Sequence, residues 1–340
     1  MVVVEASVIA GGASGTDAFF QRLRAPSEQA VPLEDIDVEL KGLRYPPKDL
    51  EQSLPQQLAV LSAAQQLEIL RALDDDQRTR VGIVIGMQTD ADAARSRWRF
   101  GPDGPSDADQ SMGTEPLEAA RVLGCMPNLI ANRLSFQFDI KGPCFVVSAE
   151  QASGHRGIEW AVRQLRANEL DVVIVGAIDL VAESVTAHAI DALGIQDQPG
   201  DGAVLLVLQR RSDAVASKRR IFAAIEATSS RTADPAFEDQ VRTRFGRAHV
   251  SDGLMRVAAA ARAINERSRP SAKSADGVKP WLPSNEQTWA VAIETPAWMG
   301  PTASVALRAD DASRGWAAAP PQLAFFAAES MDELLSKAKT

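Results

Sequence analysis

Thiols and imidazoles are few in this sequence: two cysteines, Cys125 and Cys144, and three histidines, His155, His188 and His249. A thiol accepts an acyl group only as the thiolate, which a helix N-terminus or a nearby cation favours. Cys144 instead opens an apolar run, Cys144 to Ser148, that reads as a strand, so it is expected to be a structural thiol, as is Cys125. His155 falls in the early part of a helical pattern and His188 in a connecting segment. His249 precedes Ser251 to Gly253 and reads as a helix-cap contact or a relic. Neither His155 nor His188 has a nearby Asp or Cys pattern that makes a triad or a metal site. The sequence has no HExxH, Walker loop or GxGxxG, and Gly11-Gly12 with Gly15 reads as a turn. No metal and no cofactor is expected.

The elements that must position these groups follow from hydrophobic patterning. Val2 to Ala10, Val81 to Met87 and Asp171 to Asp179 are apolar without alternation, the mark of strands buried on both faces. Leucines at helical spacing, with Pro55 in the first turn, predict one helix over Leu54 to Leu73. Asp17 to Leu23 and Gly154 to Asn168 are helical in pattern, as is Glu115 to Ser135 with a break at Pro127. The order strand 144–148, helix 154–168, strand 171–179 implies a parallel βαβ unit with a right-handed crossover. A second set follows: strands Ala203 to Leu208 and Ile221 to Ala227, helix Gly253 to Arg267, then strands Trp289 to Ile293 and Ser304 to Arg308. A polar loop containing Pro270, Ser271, Pro280 and Pro283 separates that helix from Trp289, and Arg99 to Met112 reads as another loop.

Composition narrows the function classes. With 45% hydrophobic and 24% charged residues, the 340-residue chain is globular and long enough for two packed halves. A net charge of −9 and a single tyrosine argue against nucleic acid as a partner. No apolar run nears the roughly 20 residues that span a bilayer, so no membrane is expected. The start lacks a basic leader, which makes a reducing cytoplasm the default. Arg95, Arg97 and Arg99 form a basic cluster that reads as a solvated face and is the candidate contact for an acidic partner.

Several blocks, in order, resemble the β-ketoacyl synthase family. Ala131 to Ser135 with Asp139 to Pro143 is similar to the family's dimer-interface segment. The strand Phe145 to Ser148 then leads to the tip where the family carries its cysteine at the start of a buried helix. Counted from Gly142-Pro143, Gln151 occupies that position. Asp171 to Asp179 and Gly200 to Leu208 resemble two further family strands. Leu43 to Leu50, Leu54 to Leu58, Gly86-Met87, Arg97-Trp98-Arg99 and Val147 to Glu150 are similar to the chain-length-factor domains of polyunsaturated fatty acid synthases and their heterocyst-glycolipid relatives. The resemblance covers roughly residues 1–310. It implies an α/β, thiolase-like layered αβαβα fold of two similar halves: residues 1–200, a shortened 201–310, and 311–340 as a linker and the start of a strand–helix segment, Gln322 to Leu335. That last segment is expected to come from a larger polypeptide.

The resemblance also implies what is missing. Glutamine cannot form a thioester, although its amide can bond the same backbone groups. Of the two histidines that the family uses to polarise a malonyl thioester, one has no counterpart near Ser229 and Ser230. Alignment on Leu307 puts Ser304 at the other. Trp298 and Met299 fill the segment where the family keeps glycines. The expected function is a chain-length-factor-like, catalytically inactive subunit that pairs with an active ketosynthase as a heterodimer, meets acyl carrier protein through the complex, and shapes the acyl tunnel. Leu123, Met126, Asn132, Gln151, Trp298 and Met299 are its candidate tunnel or interface residues. The alternatives are a malonyl-carrier-protein decarboxylase with glutamine in place of cysteine, and a homodimeric scaffold without an acyl substrate.

Overall fold

The computed structural model describes residues 1–24, 30–51, 53–88, 123, 126–182, 191–192, 194, 198–226, 233–271, 277–282, 289–297 and 301–310. Its strands are β1 (Val2–Ala10), β2 (Ala13–Ser14), β3 (Val81–Gly86), β4 (Cys144–Val147), β5 (Val172–Leu180), β6 (Asp201–Gln209), β7 (Ala223–Ile225), β8 (Ser268–Pro270), β9 (Val278–Pro280), β10 (Ala290–Thr295) and β11 (Ala303–Arg308). Its helices are α1 (Thr16–Arg24), α2 (Pro47–Glu51), α3 (Pro55–Gln65), α4 (Glu68–Ala72), α5 (Leu129–Phe138), α6 (Ser153–Arg166), α7 (Arg211–Ala216), α8 (Pro235–Phe245) and α9 (His249–Glu266).

One mixed sheet organises the described residues, in the order β10-β11-β7-β1-β6-β5-β3-β4, with β2 beside β1. β3 pairs in parallel with both β4 and β5, so the expected parallel unit β4–α6–β5 forms with β3 inserted between its strands. β6 runs antiparallel to β1 and β5 and is buried along its whole length. A boundary at residue 200 thus falls inside the sheet that the preceding strands build.

Two apolar cores flank this sheet. Val2, Ile83, Ile85, Ile174 and Leu205 face the side of α3, α4 and α5. Val84, Val173, Val175, Leu206 and Leu208 face α1, α6, α8 and α9. Beyond β1 the sheet continues through only two paired positions, Val2–Ala224 and Val3–Ala223, into β7, β11 and β10. Helix α9 packs against β5 and β6 and also against β10 and β11. Of its 18 residues only His249, Arg262 and Glu266 escape burial.

Several expectations need correction. The single helix over Leu54 to Leu73 breaks after Gln65, because Leu67 is extended and the Glu5 carboxylate on β1 accepts the amides of Glu68 (2.5 Å) and Ile69 (3.2 Å). A strand side chain 63 positions away therefore starts α4 as a new helix. The expected strand Ile221 to Ala227 shrinks to three residues. Residues 235–245 form a helix with Asp234 as its cap, accepting from the Ala236 amide at 3.1 Å; the Asp-Pro pair was the available signal. The polar loop after α9 contains the antiparallel pair β8–β9. Helix α9 also begins four residues before the expected Gly253.

Candidate functional site

The site lies at the edge where the parallel strands end. Gly142 sets the chain against β3 at the opposite end, where β4 starts: a Cβ there would lie 2.1 Å from the Val81 carbonyl oxygen, so only glycine permits the approach. β4 then delivers Ser148 to Gln151 to the start of α6. Glu150 adopts a left-handed φ of 51°, held by the Ser153 hydroxyl, which accepts from the Ala149 amide (2.9 Å) and donates to the Glu150 carbonyl (2.6 Å). The Glu150 carboxylate also accepts from the Gln88 side chain. Gln151, half-buried, occupies the turn that leads into α6. Helix amides and dipole at this point would favour a thiolate, but the residue is neutral and non-nucleophilic.

Cys144 stands at the far end of β4, half-buried, with Sγ 3.5 Å from the Gly142 carbonyl. Burial pushes its thiol pKa up, against the lowering pull of Ser135. That is the state of a structural thiol.

The two described histidines differ sharply. His155, 1% exposed, points into the interior, where Nε2 lies 3.2 Å from the Ile293 carbonyl and Nδ1 has no partner among the described residues. The ring is so close to α9 that a Cβ on Gly253 would lie 2.8 Å from its Cε1. Burial lowers its pKa to about 4, and Arg256 adds to that effect. His249 lies at the N-terminus of α9, at the same edge as Gln151, with Nδ1 3.4 Å from Asp179 Oδ2. The same carboxylate oxygen accepts the Val250 amide at 3.3 Å, which explains the early start of α9. This edge therefore keeps one imidazole–carboxylate pair. Sequence reasoning missed Asp179 as a partner, although it closes the most regular strand of the chain.

Behind α6 lies a buried ionic cluster that the sequence reading also missed. Arg256, 2% exposed, pairs with Asp252 (2.9 Å) and Glu238 (3.0 Å) and donates to the Glu294 carbonyl (2.9 Å) and the Thr295 hydroxyl (3.2 Å). Asp252 and Arg256 are spaced i,i+4, a visible signal, but their burial was not.

The other predicted site residues are scattered. Ser304 is exposed on β11 opposite Glu294 and makes no hydrogen bond to the Gln151 turn; the imidazole at the site edge is His249 instead. Leu123 and Met126 are exposed, at 51% and 39%, and Asn132 is exposed on α5. α5 ends at Asp139 in the left-handed conformation, and the Ile140 amide then bonds the Ser135 carbonyl at 2.9 Å. Cys125, His188, Ser229, Ser230, Trp298, Met299, the Arg95–Arg97–Arg99 cluster and residues 311–340 lie outside the described residues. Among the described residues there is no group of three or more His, Cys, Asp or Glu side chains that could hold a metal, and no helix long and apolar enough to cross a membrane.

Comparison with known proteins places this arrangement. The fold matches a ketosynthase from module 6 of the bacillaene synthase of Bacillus subtilis 168, with a TM-score of 0.65 and 14% identity over 90% of this chain and 71% of that one. It also matches an oxazolomycin ketosynthase domain of Streptomyces albus JA3453, with a TM-score of 0.67 and 15% identity over 91% and 74% of the two chains. These show the thiolase-like fold. In sequence, the chain is 26% identical over 226 residues to a component of the polyunsaturated fatty acid synthase of Thraustochytrium sp., covering 57% of this chain and 10% of that protein. It is 31% identical over 128 residues to a highly reducing polyketide synthase of Alternaria alternata, 33% of this chain and 5% of that protein. It thus spans a tenth or less of the length of these two relatives. The family model for the N-terminal domain of β-ketoacyl synthases matches residues 28–214. With that match over more than half its length and the ketosynthase fold around it, the chain belongs to the β-ketoacyl synthase family.

Proposed function

We propose that this chain is the non-condensing, chain-length-factor-like partner of an active ketosynthase in fatty acid or polyketide synthesis. The carrying observation is Gln151 at the start of α6, where the family resemblance expects the acyl-accepting cysteine. Cys144 supports the reading, because its raised pKa and place at the opposite end of β4 leave it unable to substitute. In this role the chain forms a heterodimer with the ketosynthase, meets acyl carrier protein through the complex, and works in the cytoplasm. It contributes wall residues to the acyl tunnel, with exposed Leu123 and Met126 as candidates beside Asn132, Trp298 and Met299. A division into halves at 1–200 and 201–310, with 311–340 leading into a further segment, belongs to the same proposal.

One observation favours the alternative of a malonyl-carrier-protein decarboxylase: the His249–Asp179 pair, which could support carbanion formation at this edge. A single experiment separates the readings. The chain is incubated with malonyl-carrier thioester, alone and with a partner ketosynthase, and intact masses are followed. The non-condensing role expects no acyl adduct on this chain, no acetyl-carrier product without the ketosynthase, and a stable complex with it. An adduct at Gln151 or Cys144 sinks the proposal; acetyl-carrier formed by the chain alone selects the decarboxylase.

A further inference from the structure

At the opposite end of the sheet, where β5 begins and β6 finishes, a cavity of about 360 Å³ opens against α4 and α7. Its apolar floor is Ile69, Leu73 and Val172. Along β6, Ala203, Leu205 and Val207 belong to the apolar core on the α3 side, and Gln209 is the next residue on that face. A glutamine thus continues an apolar row. It is 6% exposed and lines the cavity, yet its Oε1 accepts no hydrogen bond among the described residues. An orphaned buried acceptor costs stability unless something donates to it.

The charges around the cavity are unevenly spent. Arg210 is held by Asp171 and by Asp213 (2.6 Å) and donates to the Leu170 carbonyl (2.7 Å). Asp171 also takes Arg80 at 2.7 Å. Arg219 lines the same cavity, and its guanidinium has no hydrogen bond or ion pair among the described residues. The Glu5 carboxylate, whose charge Arg219 feels, is engaged by the amides of Glu68 and Ile69. The cavity therefore joins an apolar floor, one buried acceptor in need of a donor, and one cation in need of an anion.

We infer that this cavity binds a short aliphatic carboxylate bearing an N–H or O–H donor. The carboxylate meets Arg219, the donor meets Gln209 Oε1, and the aliphatic part covers Ile69, Leu73 and Val172. The volume lies in the range of small-molecule sites, roughly 300–1,000 Å³. Both a free acylamino or hydroxy acid and the C-terminal residue of a peptide have this chemistry. The inference is independent of what happens at Gln151.

The test is titration of the full chain, by calorimetry and ligand-observed NMR, with N-acetyl-L-leucine and with a hexapeptide ending in leucine. The tighter of the two identifies the source. Saturable binding is expected, weakened about tenfold for 4-methylpentanoate, which lacks the donor, and for N-acetyl-leucinamide, which lacks the carboxylate. Arg219→Met and Gln209→Leu should each weaken N-acetyl-L-leucine by a similar factor. If Gln209→Leu does not fold, Arg219→Met at the rim decides alone. No saturable binding, or binding indifferent to Arg219→Met, overturns the inference. So does a Gln209→Leu chain of raised thermal midpoint with no probe bound by the wild type, since a buried water alone would then satisfy Oε1.

Discussion

Helices α9 and α5 are both rich in apolar residues, yet they serve opposite ends of the molecule's organisation. α9 packs across the sheet from β5 and β6 to β10 and β11 and carries Asp252 and Arg256 into the interior, where each charge is matched. α5 buries only Ile130, Ala131 and Leu134 and leaves Phe136 55% exposed, its ring tilted against that of Tyr45 with centroids 5.4 Å apart. Met126, just before α5, is exposed as well. The contrast separates two uses of an apolar helix. The centre of the fold is packed and charge-balanced as a scaffold that must not move. The α5 face, beside β4 at the end of the strand order, keeps apolar side chains that the described residues leave exposed.

The largest effect expected is at the centre. Arg256→Ala leaves buried Asp252 with only Arg242, 3.5 Å away and also paired with Glu238, and should cost about 3–5 kcal/mol in denaturant unfolding. A double variant, Arg256→Met with Asp252→Leu, should recover much of that loss. Recovery absent from the double variant would show that packing, rather than unmatched charge, makes α9 intolerant.

Next is the acid limb of stability. His155 has a folded pKa of about 4 against an unfolded value of 6.5. Above pH 6.5 the ring is neutral in both states and contributes no slope. As pH falls from 6.5 to 4, the unfolded chain takes up a proton that the folded chain refuses, so stability falls by up to about 3 kcal/mol. Glu5 and Asp201, whose carboxyl pKa values are raised by burial, act in the opposite sense and gain stability on acidification. The difference between wild type and His155→Leu therefore isolates the ring. An identical pH slope in both would remove His155 from the buried core.

A smaller effect is expected where α6 meets α9. A Cβ on Gly154 would lie 2.5 Å from Leu254 Cγ, so Gly154→Ala should cost about 1–3 kcal/mol through overpacking despite the better helix propensity of alanine. A stabilised variant would mean that the two helices are free to separate.

The smallest effect on stability belongs to α5. Phe136→Ser should change unfolding by no more than about 0.5 kcal/mol, because the ring is already largely in water. Its association with a partner ketosynthase should nevertheless weaken by about tenfold or more, read by calorimetry. Unchanged affinity would move the interface elsewhere and break the contrast between the two helices.

Much of the fold was legible before any coordinates. Unbroken apolar runs located β1, β3, β5 and β6 to within a residue or two, since strands buried on both faces admit nothing else. The order of strand and helix around Gln151 was legible for the same reason: β4, the turn and α6 are contiguous in the chain. Trp298 and Met299 were expected at the site from alignment alone. The division of Leu54 to Leu73 into α3 and α4 was not legible, because the group that divides it sits on β1.

By itself, the sequence settled composition, the buried strands β1, β3, β5 and β6, and a glutamine at the head of α6, because these depend on neighbours within a few positions. Only the tertiary structure decided which polar groups act together. His155 meets the Ile293 carbonyl across 138 positions, Asp179 meets the Val250 amide across 71, and Gln209 Oε1 has no donor among the described residues. Burial and charge matching depend on which distant segments the sheet and α9 bring into contact, and no local pattern carries that information.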